Sequence, residues 1–237
     1  MSARRVVVRA GRLFDAASGE MRRSQVVTIR GDRIESVGPD SGEWDNGARA
    51  AAGRDSGGSP APETTVIDLR DHVVLPGLID CHAHLIGEVD SGHGYASLVQ
   101  RSGAQEALAG VRNARETVNA GFTTVRDVGT FRAFVDVALR AAIEAGDVVG
   151  PRMMCAGAYV TSSWGGGDVT GLAVDVDEVV PRELRFGVAN SVDEVRAVVR
   201  RILHGGADFI KMIATGAVLT EGTVPGAPEF GEAEIRA

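Results

Sequence analysis

Residues 76–85 read PGLIDCHAHL, a Pro-Gly start followed by a short apolar run that carries two histidines. The pattern predicts a buried strand. Side chains two apart on a strand share a face, so His82 and His84 project together while Cys81 and Ala83 point the other way. Two imidazoles a few Å apart can share one divalent ion. Asp80 falls on the histidine face and can orient a ligand from behind. A His-x-His pair also describes two hydrogen-bonded histidines in an ordinary strand. Its setting favours the metal, because polar groups in an apolar strand are costly without partners.

The chain before this strand reads as β-structure. Residues 4–38 alternate short β-branched runs with turn signals at Ala17-Ser18-Gly19 and Gly31-Asp32, which predicts antiparallel hairpins and a small antiparallel β-sandwich domain. Residues 39–63 are rich in Gly, Ser, Ala, Pro and Asp and read as a linker. Residues 64–71 return to strand. The expected division is 1–75 for this domain and 76–237 for the rest.

After PGLIDCHAHL the period changes. Residues 103–120 predict a helix with Ala107, Leu108, Val111, Ala114 and Val118 on one face, stopped by Gly121. FTTVRDV follows as a strand and 131–145 as a helix. RMMCAGAYV (152–160) reads as a third strand and a Gly-rich loop comes next. Ser191 is an N-cap with Glu194 completing a capping box for a helix over 192–204. ADFIKMIAT (207–215) reads as a fourth strand, and FGEAEIRA as the first turns of another helix. Strand and helix thus alternate, the signature of an α/β fold with a parallel sheet and right-handed crossovers. A doubly wound sheet and a barrel both fit. No GxGxxG turn supports a dinucleotide site.

Composition narrows the function classes. The chain is 44% hydrophobic and 24% charged, enough to bury a core and too apolar for disorder. A net charge of −7 argues against nucleic acid or an anionic membrane as partner, and no basic stripe with interleaved aromatics is present. The opening MSARRVVVRAG lacks the apolar run of a signal peptide, and no stretch is apolar enough to span a bilayer; the expected location is cytoplasmic. The two cysteines, Cys81 and Cys155, have no paired spacing and read as reduced core residues.

Lys211 is the second anomaly, a lysine inside the apolar run FIKMIATGAV. Burial disfavours an ammonium. Such a lysine reaches the rim or pairs with a carboxylate, or it becomes a free amine that reacts with carbon dioxide. The resulting carbamate is an anionic, two-oxygen ligand able to bridge two metal ions. Lesser features admit a structural and a functional reading alike. Gly165-Gly166-Gly167-Asp168 is a flexible loop or a contact for substrate backbone or phosphate. Arg126-Asp127 is a structural pair or a substrate contact. Tyr159 and Trp164 are pocket walls or packing residues. His93, in the loop after the first strand, lies on the side of the site; His72 and His204 do not.

PGLIDCHAHL, GFTTVRDVG (121–129) and ADFIKMIATGAVLT (207–220) together resemble the amidohydrolase superfamily, in the branch of imidazolonepropionase-related proteins and Xaa-Pro dipeptidases. The resemblance covers nearly the whole chain. It implies a (β/α)8 TIM-type barrel, represented here by about four βα units, behind a small β-domain. It implies that His82 and His84 bind the more buried of two divalent ions, zinc first, and that carboxylated Lys211 bridges the two. A metal-bound hydroxide would then attack an amide, peptide or cyclic-amide carbonyl of a small substrate, with Asp80, His93 and Tyr159 as candidate substrate contacts or ligand supports. Family members also use two histidines after strands five and six and a general-base aspartate after strand eight, positions beyond residue 237. The chain is therefore expected to be the N-terminal half of such an enzyme, a homo-oligomer incomplete as a catalyst. The alternatives are a catalytically dead half-barrel and a non-enzymatic α/β binding module.

Overall fold

The computed structural model describes residues 4–44, 64–87 and 95–237. The chain divides into two compact units, Met1–Pro76 and Gly77–Ala237.

The first unit is a four-stranded sheet of β1 (Arg5–Asp15), β2 (Glu20–Arg30), β3 (Arg33–Pro39) and β4 (Thr64–Val74), in the order β3-β2-β1-β4. Tight turns make β1–β2 and β2–β3 antiparallel. In the first turn the Asp15 carboxylate accepts the Ala17 N–H at 3.0 Å, and Gly19 supplies a φ of +73°. β4 instead runs parallel to β1. The unit is thus one mixed sheet among the described residues, not the expected antiparallel sandwich. A hairpin turn can join only antiparallel neighbours, whereas the long connection after β3 lets β4 enter on the far side of β1 in either sense. From residue 45 onward the stretch read as a linker lies outside the described residues. Ala10, Leu13 and Val27 form the small core. Gly11 is obligatory, because a Cβ there would lie 1.7 Å from the Arg70 carbonyl oxygen.

The second unit contains β5 (Leu78–Ala83), α1 (Ala96–Gln100), α2 (Gly103–Asn119), β6 (Phe122–Asp127), α3 (Val135–Ala145), β7 (Arg152–Cys155), β8 (Tyr159–Val160), α4 (Val174–Asp177), α5 (Val192–His204), β9 (Lys211–Met212) and α6 (Glu232–Arg236). β5, β6 and β7 form one parallel ladder, and β8 and β9 another. These are parallel βα units.

The expected third strand is broken in two. Gly157 takes φ +74°, a conformation costly for residues with a Cβ, and turns the chain between β7 and β8. The buried Asp136 carboxylate accepts the Gly157 N–H at 2.9 Å, and the Gly157 carbonyl accepts the Phe134 N–H at 2.8 Å. β7 therefore stays with β6 while β8 is released to β9. The fourth strand shrinks to Lys211–Met212, flanked by Asp208, whose N–H donates to the Cys155 carbonyl at 2.8 Å, and by Ile213, whose N–H donates to the Val160 carbonyl at 2.9 Å.

The helices α2, α3 and α5 pack on the strands β6, β7 and β8 respectively. Ser102 caps α2 by accepting the Gln105 N–H, and Gln105 returns an acceptor to the Ser102 N–H at 2.9 Å. The buried stripe of α2 is Glu106, Gly110 and Ala114, while Leu108 is 71% exposed. The stripe is rotated from the predicted one because Gly110 lets Ile86 approach: a Cβ would sit 2.2 Å from its Cδ1. Ser191 accepts the Glu194 N–H, but Glu194 accepts from Asn190 at 2.7 Å rather than from Ser191. Val195, Val198 and Ile202 lie at helical spacing and pack on Ala158, Val160, Ala189 and Phe230. Ala83, Ala114, Val125, Leu139, Met153 and Cys155 belong to a second core. Arg126 and Met154, alternating with buried residues along β6 and β7, are exposed. Among the described residues no helix is long and apolar enough to cross a membrane.

Candidate metal centre

The carboxyl end of β5 is bulged. Asp80 pairs with Val125 and Ala83 with Asp127, three residues against two, so strict alternation fails here. The freed groups are satisfied locally. The Asp80 carboxylate accepts the His82 N–H at 2.9 Å, and the Cys81 carbonyl accepts from Arg126 Nε at 2.8 Å. Asp80 thus supports His82 through the backbone. Cys81 is exposed, contrary to its reading as a core cysteine, because the bulge places it on the open face; Cys155 is buried, and burial raises its thiol pKa.

His82 and His84 remain neighbours despite the bulge, with ring centroids 5.4 Å apart. His84 Nδ1 lies 3.0 Å from the Gly129 carbonyl oxygen. A carbonyl can only accept, so Nδ1 carries the proton and the Nε2 lone pair is free, the tautomer of a metal-binding imidazole. The buried Tyr159 hydroxyl donates to the same oxygen at 2.9 Å, and its ring stands 6.2 Å from that of His84. Gly129 has φ +106°, and a Cβ would come within 2.9 Å of the Tyr159 ring. Although His84 as a residue is solvent-accessible, its ring is desolvated against this wall. That desolvation lowers its pKa below 6.5; the Gly129 hydrogen bond opposes the shift, and the charges of His82 and Lys211 add to it. The ring is neutral near neutral pH, as a ligand must be.

Lys211 stands in register with Tyr159. It is half-buried rather than enclosed in a long apolar strand, since β9 is only two residues long. No ion pair with a carboxylate is formed by Lys211 among the described residues. Its charge nevertheless reaches His84.

Asp127 carries more than its sequence reading implies. It does not pair with Arg126, which lies over the Phe209 ring at 5.4 Å. Its carboxylate is fully buried and accepts the N–H groups of Leu85 at 2.9 Å and Gly129 at 3.1 Å. Burial, and then the neighbouring Asp136 charge, push its pKa up to about 7. The Gly129 contact is an Asx turn, so an Asp followed two residues later by Gly is the signal that sequence offers for it.

The Gly-rich loop is no phosphate cradle. Its N–H groups are already taken: Gly165 donates to Ser162 O, Gly166 to the Glu229 carboxylate at 2.8 Å, Gly167 to Thr161 Oγ1 and Asp168 to Gly165 O. Asp168 is buried and accepts from Arg185 Nε at 2.9 Å, clamping the loop. Trp164 is 66% exposed with its indole N–H on Asp177. His93 lies outside the described residues. His204 is exposed at the end of α5 and His72 lies in β4.

Two donors fit one side of a metal centre, a neutral imidazole with a free Nε2 and a second imidazole beside it. Among the described residues no three His, Cys, Asp or Glu side chains are grouped to hold a metal.

Comparison with known proteins agrees in fold and sequence. The amidohydrolase family model matches residues 73–237. Ochratoxinase of Aspergillus niger is 31% identical over 176 residues, spanning 69% of this chain and 35% of that protein. A Xaa-Pro dipeptidase solved with methionine in its active site superposes with a TM-score of 0.78 at 32% identity, over 98% of this chain and 52% of that one. A prolidase complexed with N-methylphosphonate-L-proline gives 0.77 at 27% identity, over 98% and 52%. The chain spans about half the length of these solved structures and about a third of the curated relative. With the family model covering the whole of the second unit and the fold shared along nearly the whole chain, this chain belongs to the amidohydrolase family.

Proposed function

We propose that this chain carries one side of the active centre of a metal-dependent hydrolase of C–N bonds in small amide or peptide substrates. Its βα units are then the first half of an eight-stranded barrel. His82 and His84 would bind a divalent ion, zinc first, and Lys211 would hold it as a carbamate shared with a second ion. Carboxylation joins the Lys211 amine to the carbon of carbon dioxide and releases one proton to solvent. The observation that carries the reading is the His84 Nδ1 hydrogen bond to Gly129, which leaves Nε2 as a bare donor beside His82. When bound, the metal supplies a Lewis acid that polarises a carbonyl and lowers the pKa of water. The residues here hold and shape the site. Asp80 fixes the His82 backbone, and Tyr159 walls the back of His84 against water. The match to a Xaa-Pro dipeptidase and a prolidase supports the peptide class.

Zinc binding is the direct test. The 237-residue chain, titrated with zinc in labelled bicarbonate, is expected to bind the metal and show a carbamate carbon signal that Lys211→Ala abolishes. His82→Ala is expected to weaken zinc by more than about a hundredfold, since even outer-shell changes cost roughly 10–100-fold. A wild-type chain that holds no zinc, manganese or iron, with His82→Ala changing nothing, sinks the proposal.

A further inference from the structure

We infer that Asp127 is the positioning residue that sets the orientation and tautomer of His84. Asp127 touches neither histidine ring directly. One carboxylate oxygen accepts the N–H of Leu85, the residue following His84, at 2.9 Å. The other accepts the N–H of Gly129 at 3.1 Å, and Gly129 bears the carbonyl that receives His84 Nδ1 at 3.0 Å. A single side chain therefore holds both the backbone that carries the imidazole and the acceptor that selects its tautomer.

The need for such a clamp comes from the bulge. Between Asp80 and Ala83 the β5–β6 ladder slips by a residue, and beyond the strand it is continued, among the described residues, by the Val128 N–H to Ala83 carbonyl bond at 3.0 Å. Two N–H groups at the strand ends lack ladder partners, and Asp127 accepts both. Its carboxylate is fully buried among Val125, Val128 and Cys155, themselves at most 2% exposed. An apolar residue would suit those neighbours but would leave both donors unsatisfied, at a cost comparable to the lost hydrogen bonds. Tyr159 also donates to the Gly129 carbonyl, but it fixes neither N–H.

Of the outcomes that follow, only the zinc affinity rests on the metal proposal. In the 13C,15N-labelled wild-type chain, the Leu85 and Gly129 amides are expected to show through-hydrogen-bond couplings to the Asp127 carboxyl carbon. The His84 ring is expected as the Nδ1–H tautomer above its titration. Absence of either overturns the inference, whether or not any variant folds. Asp127→Asn keeps the volume but can accept only one of the two N–H groups. It is expected to turn His84 into a mixture of tautomers while the His82 ring signals stay as in wild type. A folded Asp127→Asn chain with a wild-type His84 ring overturns the inference. So does a Tyr159→Phe chain in which His84 is released equally, since that variant leaves Asp127 intact. Zinc affinity in Asp127→Asn is expected to fall roughly 10–100-fold, as for other groups that orient ligands. If the wild type binds no zinc while the tautomer still depends on Asp127, the metal proposal fails and this inference stands.

Discussion

Gly129 occupies two roles at the residue scale. Its carbonyl accepts from both His84 and Tyr159, and its φ of +106° closes the turn that brings the carbonyl there. Gly129→Ala would place a Cβ 2.9 Å from the Tyr159 ring in a backbone region disfavoured for L residues. The expected loss is on the order of 1–3 kcal/mol, read from urea unfolding, with the Tyr159 ring displaced. Tyr159→Phe removes only one donor from the shared oxygen and should cost about 1 kcal/mol, leaving the His84 bond intact. The histidine pair is legible from spacing, and its rings stay 5.4 Å apart despite the bulge. The Gly129 acceptor is not, because it lies 45 positions away in sequence and only the β5–β6 pairing brings it near.

Elements with local signals are legible in the sequence. α5 spans Val192–His204 with Ser191 capping it, and α2 begins at its Ser102 box, because capping depends on residues within one turn. Ser191→Ala is expected to lower stability by about 1 kcal/mol, a drop of roughly 2–4 °C in Tm for a domain of this size, measured by thermal unfolding at fixed pH. The α2 face differs from its prediction, since helical period fixes a stripe's width but not which edge meets the sheet. There the close approach of Ile86 over Gly110 decides, and Leu108 is left outside. The third strand breaks for a similar reason. RMMCAGAYV has strand composition throughout, yet Asp136 and Phe134 hold Gly157 out of line.

At the scale of the whole molecule, buried carboxylates make stability depend on pH. The Asp127 pKa of about 7 lies above its ordinary 3.8, and Asp136 is raised too, first by burial. Between the ordinary and the raised value the folded chain holds more protons than the unfolded one, so stability falls as pH rises. The contribution is complete below about pH 4 and lost through about pH 7, falling by about 1.4 kcal/mol for each pH step of one across that window; the two carboxylates titrate as a pair. Urea unfolding of wild type and Asp127→Asn should show the wild-type advantage shrinking between about pH 4 and about pH 7. A gap that widens over that range contradicts the assignment. The sequence by itself determined the alternation of strand and helix, the caps, the histidine pair and the family, because each is written in short-range periodicity or in ordered motifs. The sense of β4, the split of the third strand, the short β9 around Lys211 and the Asp127 clamp were decided only by tertiary structure. Each depends on which backbone groups find partners across distant strands, and local sequence carries no record of that pairing.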